Sequence, residues 1–469
     1  MRIAPLTVLS TVPVATPSTV PVATLSTAPA ATLGTILGTA LVTLLTACTP
    51  ATDRNSNPPT PSTTRFETAL GARTANPYAR ADAPRAFVFP TDHAAHPQFR
   101  HEWWYFTGHL DGPQGERFGF EVTFFRLALQ PPSQPLAGES HWRTSQLYAA
   151  HFAVTDPERR VFHSTERFAR DALELAGASG SPLRVWLDDW SLTLPQRSSN
   201  TLRQGPSDAL PGDTSEPWRL QAHDGPYRLA LELRPQGPPV LNGDAGLSRK
   251  SSSTSAASYY YSIPRLAVTG VLARDEASMP VTGTAWLDRE WGSDGLAPDE
   301  AGWDWFALQL EDGSTLMFYA LRHQDGTRDA ASAGTFVEAS GEQQALRHDA
   351  VKISTQREWR SPRGGRYPID WHFEVATLGL DLRLRPILDE QELHTRPRYW
   401  EGAVDITGSR YGKPLQGRGY VELTGYANAS ADARIRALQR TPLPNGGDSN
   451  EVPDHRIADV ERDPRPRGL

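Results

Sequence analysis

The chain has 469 residues, enough for two or three domains. It is 38% hydrophobic with 13 Trp, 13 Tyr and 16 Phe, which supports folded cores and excludes wholesale disorder. A formal net charge of −7 argues against a nucleic-acid partner, and a single cysteine, Cys48, excludes a framework of internal disulfides.

Residues 1–47 read as an export signal. An apolar run from Ile36 ends in Leu45-Thr-Ala-Cys48, which resembles a bacterial lipobox, and the run is shorter than a membrane span. On that reading Cys48 is lipidated and the protein reaches the membrane through this N-terminal anchor. Thr49 in place of Asp points to the outer membrane, facing the periplasm. The alternative is a buried free thiol. Residues 48–84, rich in Pro, Thr, Ser and Asn, read as a tether between lipid and domain.

From Phe87 onward the pattern is strands. His101-Glu-Trp-Trp-Tyr-Phe-Thr-Gly-His-Leu110 places His101, Trp103, Tyr105, Thr107 and His109 on one face and Glu102, Trp104, Phe106 and Leu110 on the other. Asp111-Gly112 then turns the chain into a second strand over 118–129, with Phe118, Phe120, Val122 and Phe124 on one face. Further strands are predicted over 146–155, 183–194, 218–222 and 227–233. A Gly/Ser-rich loop (237–258) precedes Tyr259-Tyr-Tyr-Ser-Ile-Pro-Arg-Leu266, followed by strands at 266–272 and 283–293. Hairpins restart after Gly302, over 303–310 and 315–322, and later strands fall at 350–355, 369–376, 380–388, 399–407 and 418–423. Only 429–439 has a helical period. The fold class is therefore all-β, as two units in series: 85–292 and 293–428, with a disordered tail over 429–469.

The stretch Gly283-Thr-Ala-Trp-Leu-Asp-Arg-Glu-Trp-Gly-Ser293 has three charges in a row beside aromatics. Alternation puts Trp286, Asp288 and Glu290 on one face and Leu287, Arg289 and Trp291 on the other. Two carboxylates beside an indole need water, a partner or a function to compensate their burial. An edge strand with its acids paired to arginines is the competing reading.

Six segments together resemble one family: His101-Glu-Trp-Trp-Tyr105, Tyr148-Ala-Ala-His-Phe-Ala-Val-Thr-Asp156, Tyr259-Tyr-Tyr-Ser-Ile-Pro-Arg265, Ala285-Trp-Leu-Asp-Arg-Glu-Trp-Gly-Ser293, Gly302-Trp-Asp-Trp-Phe306 and Tyr399-Trp-Glu-Gly-Ala-Val404. They are similar to the secreted AttH-like, lipocalin-like proteins related to the carotenoid 1,2-hydratases, often called secreted hydrolases. The resemblance implies two consecutive lipocalin-like β-barrels enclosing an apolar cavity. In those hydratases an aspartate protonates an isolated C=C bond, and Trp286-Leu-Asp288 looks like its counterpart. Where they carry a His and a Trp upstream, this chain has Tyr259-Tyr-Tyr261.

Asp288, Glu290, Tyr259 and Tyr261 are thus the candidate catalytic residues. Trp286, Trp291, Trp303, Trp305, His101, Trp103, Tyr105, His151 and Glu401 are the candidates for lining a ligand site. His93, His96, His101 and Glu102 have metal-ligating side chains, but their spacing is loose and no metal or other cofactor is expected. Glu401 faces either a ligand or an ion pair with Arg396 or Arg398. There is no Gly-x-Ser-x-Gly elbow and no Gly-rich phosphate loop. The first functional reading is an acid–base hydratase, lyase or isomerase acting on a hydrophobic unsaturated small molecule. The second is a non-catalytic carrier of lipid, and the third a structural lipoprotein whose second barrel docks a partner.

Overall fold

A computed structural model describes residues 78–133, 144–194 and 217–427, all within one compact unit, Thr63–Leu469. The signal over 1–47, Cys48, the tether as far as residue 77, the helix at 429–439 and the tail lie outside the described residues.

All strand pairing between the named strands is antiparallel, and the only helical pieces among the described residues are two 3-10 turns, Thr91–His93 and Ala376–Leu378. In chain order the first strands are β1 (His101–Asp111), β2 (Arg117–Ala128), β3 (Gln146–Asp156), β4 (Val161–Arg170), β5 (Ala176–Gly180), β6 (Leu183–Leu187), β7 (Trp190–Leu194), β8 (Trp218–Asp224), β9 (Tyr227–Pro235), β10 (Val240–Leu241), β11 (Leu247–Arg249), β12 (Ala257–Arg274) and β13 (Ala277–Gly292). They form one sheet in the order β4-β3-β2-β1-β13-β12-β9-β8-β7-β6-β5, with β10 and β11 added on β12. The rest are β14 (Glu300–Leu310), β15 (Thr315–His323), β16 (Ala333–Val337), β17 (Gln343–Arg347), β18 (Lys352–Arg360), β19 (Arg366–Val375), β20 (Leu380–Pro386), β21 (Glu392–Leu393), β22 (Tyr399–Arg410) and β23 (Lys413–Leu423). These give a second sheet, β17-β16-β15-β14-β23-β22-β20-β19-β18, with β21 on β22. Each sheet curls into a near-closed, lipocalin-like barrel. Among the described residues the chain passes from the first sheet to the second once, across 293–299.

Three expectations change. The run 183–194 is two strands, because Asp188-Asp189 makes a tight turn with Asp188 in the left-handed region (φ 54). The loop 237–258 contributes two short strands. Residues 78–84, expected at the end of the tether, pack on the first barrel: Ala81 is buried, the Tyr78 hydroxyl donates to Ala128 O at 3.0 Å, and Arg80 pairs with Asp294 at 3.0 Å.

Burial separates two kinds of strand. In β8 and β9 buried and exposed residues alternate, as expected when one face meets solvent. Strands β1, β2 and β3 and the second half of β13 are buried almost without interruption. Their inner face fills the first barrel with Trp104, Phe106, Phe120, Val122, Leu287 and Trp291. Their outer face packs on the second barrel, where Tyr105 and Trp286, joined by Tyr260 of β12, meet Trp305, Ala307, Met317, Tyr319, Ala403 and Tyr420. Gly119 on β2 permits this approach, since a Cβ there would lie 2.6 Å from the Tyr420 hydroxyl and 2.7 Å from Ala403 Cβ.

Candidate active site between the barrels

Asp288 lies on the outer face of β13, and the site it defines is therefore between the barrels and not inside either one, as the expected apolar barrel cavity would have it. It is 4% exposed. Ser262 Oγ donates to its Oδ1 at 2.5 Å and Trp286 Nε1 at 2.6 Å, while the Tyr260 hydroxyl donates to Oδ2. Trp305 Nε1 from the second barrel donates to the Tyr260 oxygen at 3.1 Å. Burial pushes the Asp288 carboxyl up to about 7 against these three donors, and Glu290 adds repulsion. No arginine or lysine pairs with it among the described residues.

Glu290, two residues on, is held differently. Ser258 Oγ donates to its Oε1 at 2.6 Å, and Lys250 Nζ lies 2.6 Å from the same oxygen. Lys250 sits between the Tyr260 and Tyr319 rings, 5.2 and 4.9 Å from their centroids. Burial works against its charge, but Glu290, Tyr319 and Asp288 raise its pKa nonetheless.

The tyrosines divide by face. Ser258, Tyr260 and Ser262 pair in register with Gly292, Glu290 and Asp288, so they join the acid face. Tyr259 and Tyr261, expected to position water or substrate, point the other way. Tyr261 is in the first core with its hydroxyl 2.6 Å from His93 Nδ1, and the Tyr259 hydroxyl donates to Ala83 O at 2.8 Å. Trp291 is likewise in that core, stacked on His96 at 3.8 Å, so it lines no site with Asp288. Glu102 is there too, between Arg126 and Arg289 (2.6 Å). Burial alone would raise its carboxyl, but the two guanidiniums hold it well below the usual range. His96 hydrogen-bonds Asp92 and Glu102 at 3.1 and 3.3 Å.

Of the other candidates, Trp103, Tyr105, His101, His151, Trp303, Trp305 and Glu401 all come to the seam between barrels. His101 stacks on Trp103, their rings 5.9 Å apart, and burial lowers its pKa to about 3. Glu401 is fully buried and makes no ion pair with Arg396 or Arg398; the Tyr105 hydroxyl donates to its Oε1 at 2.7 Å. Arg398 lies 3.4 Å from Glu392 instead. His151 Nδ1 meets the Tyr399 hydroxyl at 2.8 Å, and burial lowers its pKa to about 3. Trp303 Nε1 donates to Glu422 Oε1 at 3.1 Å.

Sequence reasoning missed Tyr260, Ser262, Lys250, Glu121 and Glu422. The first two follow from alternation once the β12–β13 register is known. Glu121 stands alone among the aromatics of β2 on the face opposite Phe120 and Val122, which was a legible sign. Lys250 and Glu422 carried no local signal. Among the described residues no three His, Cys, Asp or Glu side chains converge as a metal set.

A fold of two lipocalin-like β-barrels is shared with known proteins. A profile of the AttH-like family matches residues 80–426, and the chain belongs to that family. It is 37% identical to a Nitrosomonas europaea protein provisionally called AttH, whose crystal structure superposes with a TM-score of 0.63, covering 74% of this chain and 99% of that one. Kievitone hydratase from Nectria haematococca shares the fold at 16% identity, with a TM-score of 0.53 over 74% of this chain and 95% of its own. In sequence the chain is 22% identical to the dehydratase asqC of Emericella nidulans over 228 residues, 46% of this chain and 63% of that protein. The chain thus spans less than two thirds of that relative's length.

Proposed function

We propose that the protein is a hydro-lyase, a hydratase or dehydratase of a hydrophobic, unsaturated small molecule of terpenoid, carotenoid or lipid-like character, with Asp288 as general acid. The observation that carries this reading is a carboxyl buried without a cation, held by Tyr260, Ser262 and Trp286, and pushed to about 7. An acid whose pKa sits near neutrality serves equally well to give and to recover a proton. Trp286 and Trp305, 6.2 Å apart and edge to face, put π faces beside it, which favour developing positive charge. The dehydratase name of the sequence relative supports the reaction class. The test begins with mass spectrometry of small molecules that co-purify with the protein. With that compound as substrate, Asp288→Asn should lose about 10²–10⁴-fold in kcat while its Kd holds. If both forms bind the compound and neither turns it over, the protein is a carrier. If the variant instead melts early, Asp288 is structural.

We also propose that Cys48 is lipidated and anchors the chain in the cell envelope, at the outer membrane facing the periplasm. The Leu45-Thr-Ala-Cys48 motif supports this reading. Cys48→Ser should move the protein from the membrane to the soluble fraction, and equal membrane retention would refute the anchor.

A further inference from the structure

Beyond Asp288 and the Lys250-paired Glu290, the seam contains three more acids, Glu121, Glu401 and Glu422. Across the first sheet the outer-face residues line up strand by strand: Asp288 on β13 lies opposite Tyr105 on β1, Tyr105 opposite Thr123 on β2, and Thr123 opposite His151 on β3. The next row is Trp286, Thr107 and Glu121. On the second sheet, Trp305 lies opposite Glu422 and Glu422 opposite Glu401. The two rows meet where Tyr105 donates to Glu401 and where the His151 ring meets Tyr399.

Neither Glu121, Glu401 nor Glu422 has an ion pair among the described residues. Glu121 and Glu401 are fully buried, and Glu422 is half-buried at the rim. A buried carboxylate without a cation is untenable, so these groups are neutral carboxylic acids. Burial raises all three, Glu121 to about 8 against the Thr123 donor; repulsion by neighbouring carboxylates adds to it for Glu422, also at about 8, and for Glu401, which lies well above the usual range. In Glu401 the Tyr105 hydrogen already occupies Oε1, so the acid's own proton sits on Oε2. That oxygen has no hydrogen-bond partner among the described residues, and neither have Glu121 Oε2, Thr107 Oγ1 or His151 Nε2. A buried O–H donor left over in a finished interface is arranged for an acceptor that arrives from outside.

We propose that Glu401, with Glu121 and His151 beside it, is an oxygen-binding subsite, and that the molecule taken up between the barrels carries a carbonyl conjugated with its double bond. The substrate class is then an α,β-unsaturated ketone in the hydration direction and a β-hydroxy ketone in the dehydration direction, not a hydrocarbon with an isolated alkene. This deepens the hydro-lyase reading, replacing a cationic intermediate beside the Trp faces with an enolate-like one, and rests on that reading for the reaction class, though not for the binding. In hydration, water oxygen bonds the β-carbon, the C=C pair shifts to join the α-carbon to the carbonyl carbon, and the C=O π pair moves onto the oxygen, where the Glu401 O–H holds the growing charge. Asp288 then gives its proton to the α-carbon as the C=O bond re-forms, and recovers one from the added water. One H and one OH are added and the protein is unchanged. Dehydration runs the same steps backwards.

The test compares chalcone with 1,3-diphenylpropene, which has the same carbon skeleton without the oxygen. Chalcone should bind about tenfold or more tightly, because a site built to hydrogen-bond an oxygen rejects the analogue lacking it. Its near-ultraviolet band should move to the red on binding, as a hydrogen-bonded enone's does. Glu401→Leu should abolish both the preference and the red shift, and Glu401→Gln, which keeps an N–H donor, should restore part of each. If Glu401→Leu does not fold, Glu401→Gln and Tyr105→Phe read the same two quantities, each expected to be reduced. Asp288→Asn should keep the shift. A wild-type shift without any turnover would sink the hydro-lyase reading and leave the oxygen subsite standing. Equal affinities, no saturable chalcone binding, or a shift that survives in Glu401→Leu would overturn the subsite.

Discussion

Asp288 and Glu102 are both buried carboxyls on neighbouring strands, and their surroundings set opposite protonation states. Two guanidiniums keep Glu102 charged, whereas Asp288 has only neutral donors. Because a general acid needs its proton, hydration should be fastest below about pH 7 and fall about tenfold per unit above it. The Tyr260 donor favours the ionised form of Asp288, so its loss in Tyr260→Phe raises the Asp288 pKa. The falling limb of a kcat–pH profile should therefore move to higher pH in that variant. Tyr261→Phe loses the His93 contact instead; it should cost about 1 kcal/mol of stability and leave the limb in place. Asp288 was legible in the sequence from alternation and from the Trp-x-Asp motif. Its hydrogen-bonding tyrosine was not, because three tyrosines in succession give no hint of which faces the acid until the neighbouring strand fixes the register.

At the scale of elements, the hairpins announced themselves through Asp-Gly turns at Asp111-Gly112, Asp224-Gly225 and Asp312-Gly313. Strands β4, β5 and β17 did not, since they lie at sheet edges and bury too little to show a period. Strands buried on both faces looked like ordinary alternating strands. What distinguishes them is that their second face carries acids, histidines and tyrosines where β8 and β9 carry residues bound for water. Gly119 is the most constrained position on that face. Gly119→Val would drive a side chain into Tyr420 and Ala403, and overpacking of this kind costs about 1–3 kcal/mol. A melting temperature equal to wild type would mean the barrels are not in contact there. Glu102→Gln should cost more, about 3–5 kcal/mol in chemical denaturation, because it leaves two buried guanidiniums without a counter-charge.

For the molecule as a whole, an interface of neutral acids ties stability to pH in an unusual direction. Glu121 and Glu422 ionise near 4.5 in the unfolded chain and near 8 when buried, so between those values the folded state holds protons that the unfolded state has lost. Their stabilisation is complete below about pH 4.5, declines as pH rises to about 8, and stays constant above. Thermal melts should show a lower melting temperature at pH 8 than at pH 6, and Glu121→Gln should flatten the difference. If the wild-type melting temperature rises over that interval, these carboxyls are charged in the native protein. None of this was readable beforehand: the sequence divides into two β units without revealing that their outer faces form the site.

The single passage between the sheets among the described residues has a practical corollary. Each sheet is completed by a continuous run of chain, with Pro298 and Asp299 exposed in the link between them. The peptide bond there adds proximity but no strand, so two polypeptides, 1–298 and 299–469, contain the parts of a non-covalent pair. Produced together they should co-purify at pH 6, and by proton linkage they should separate more readily at pH 9, which would make the seam an acid-favoured fastener between two half-proteins.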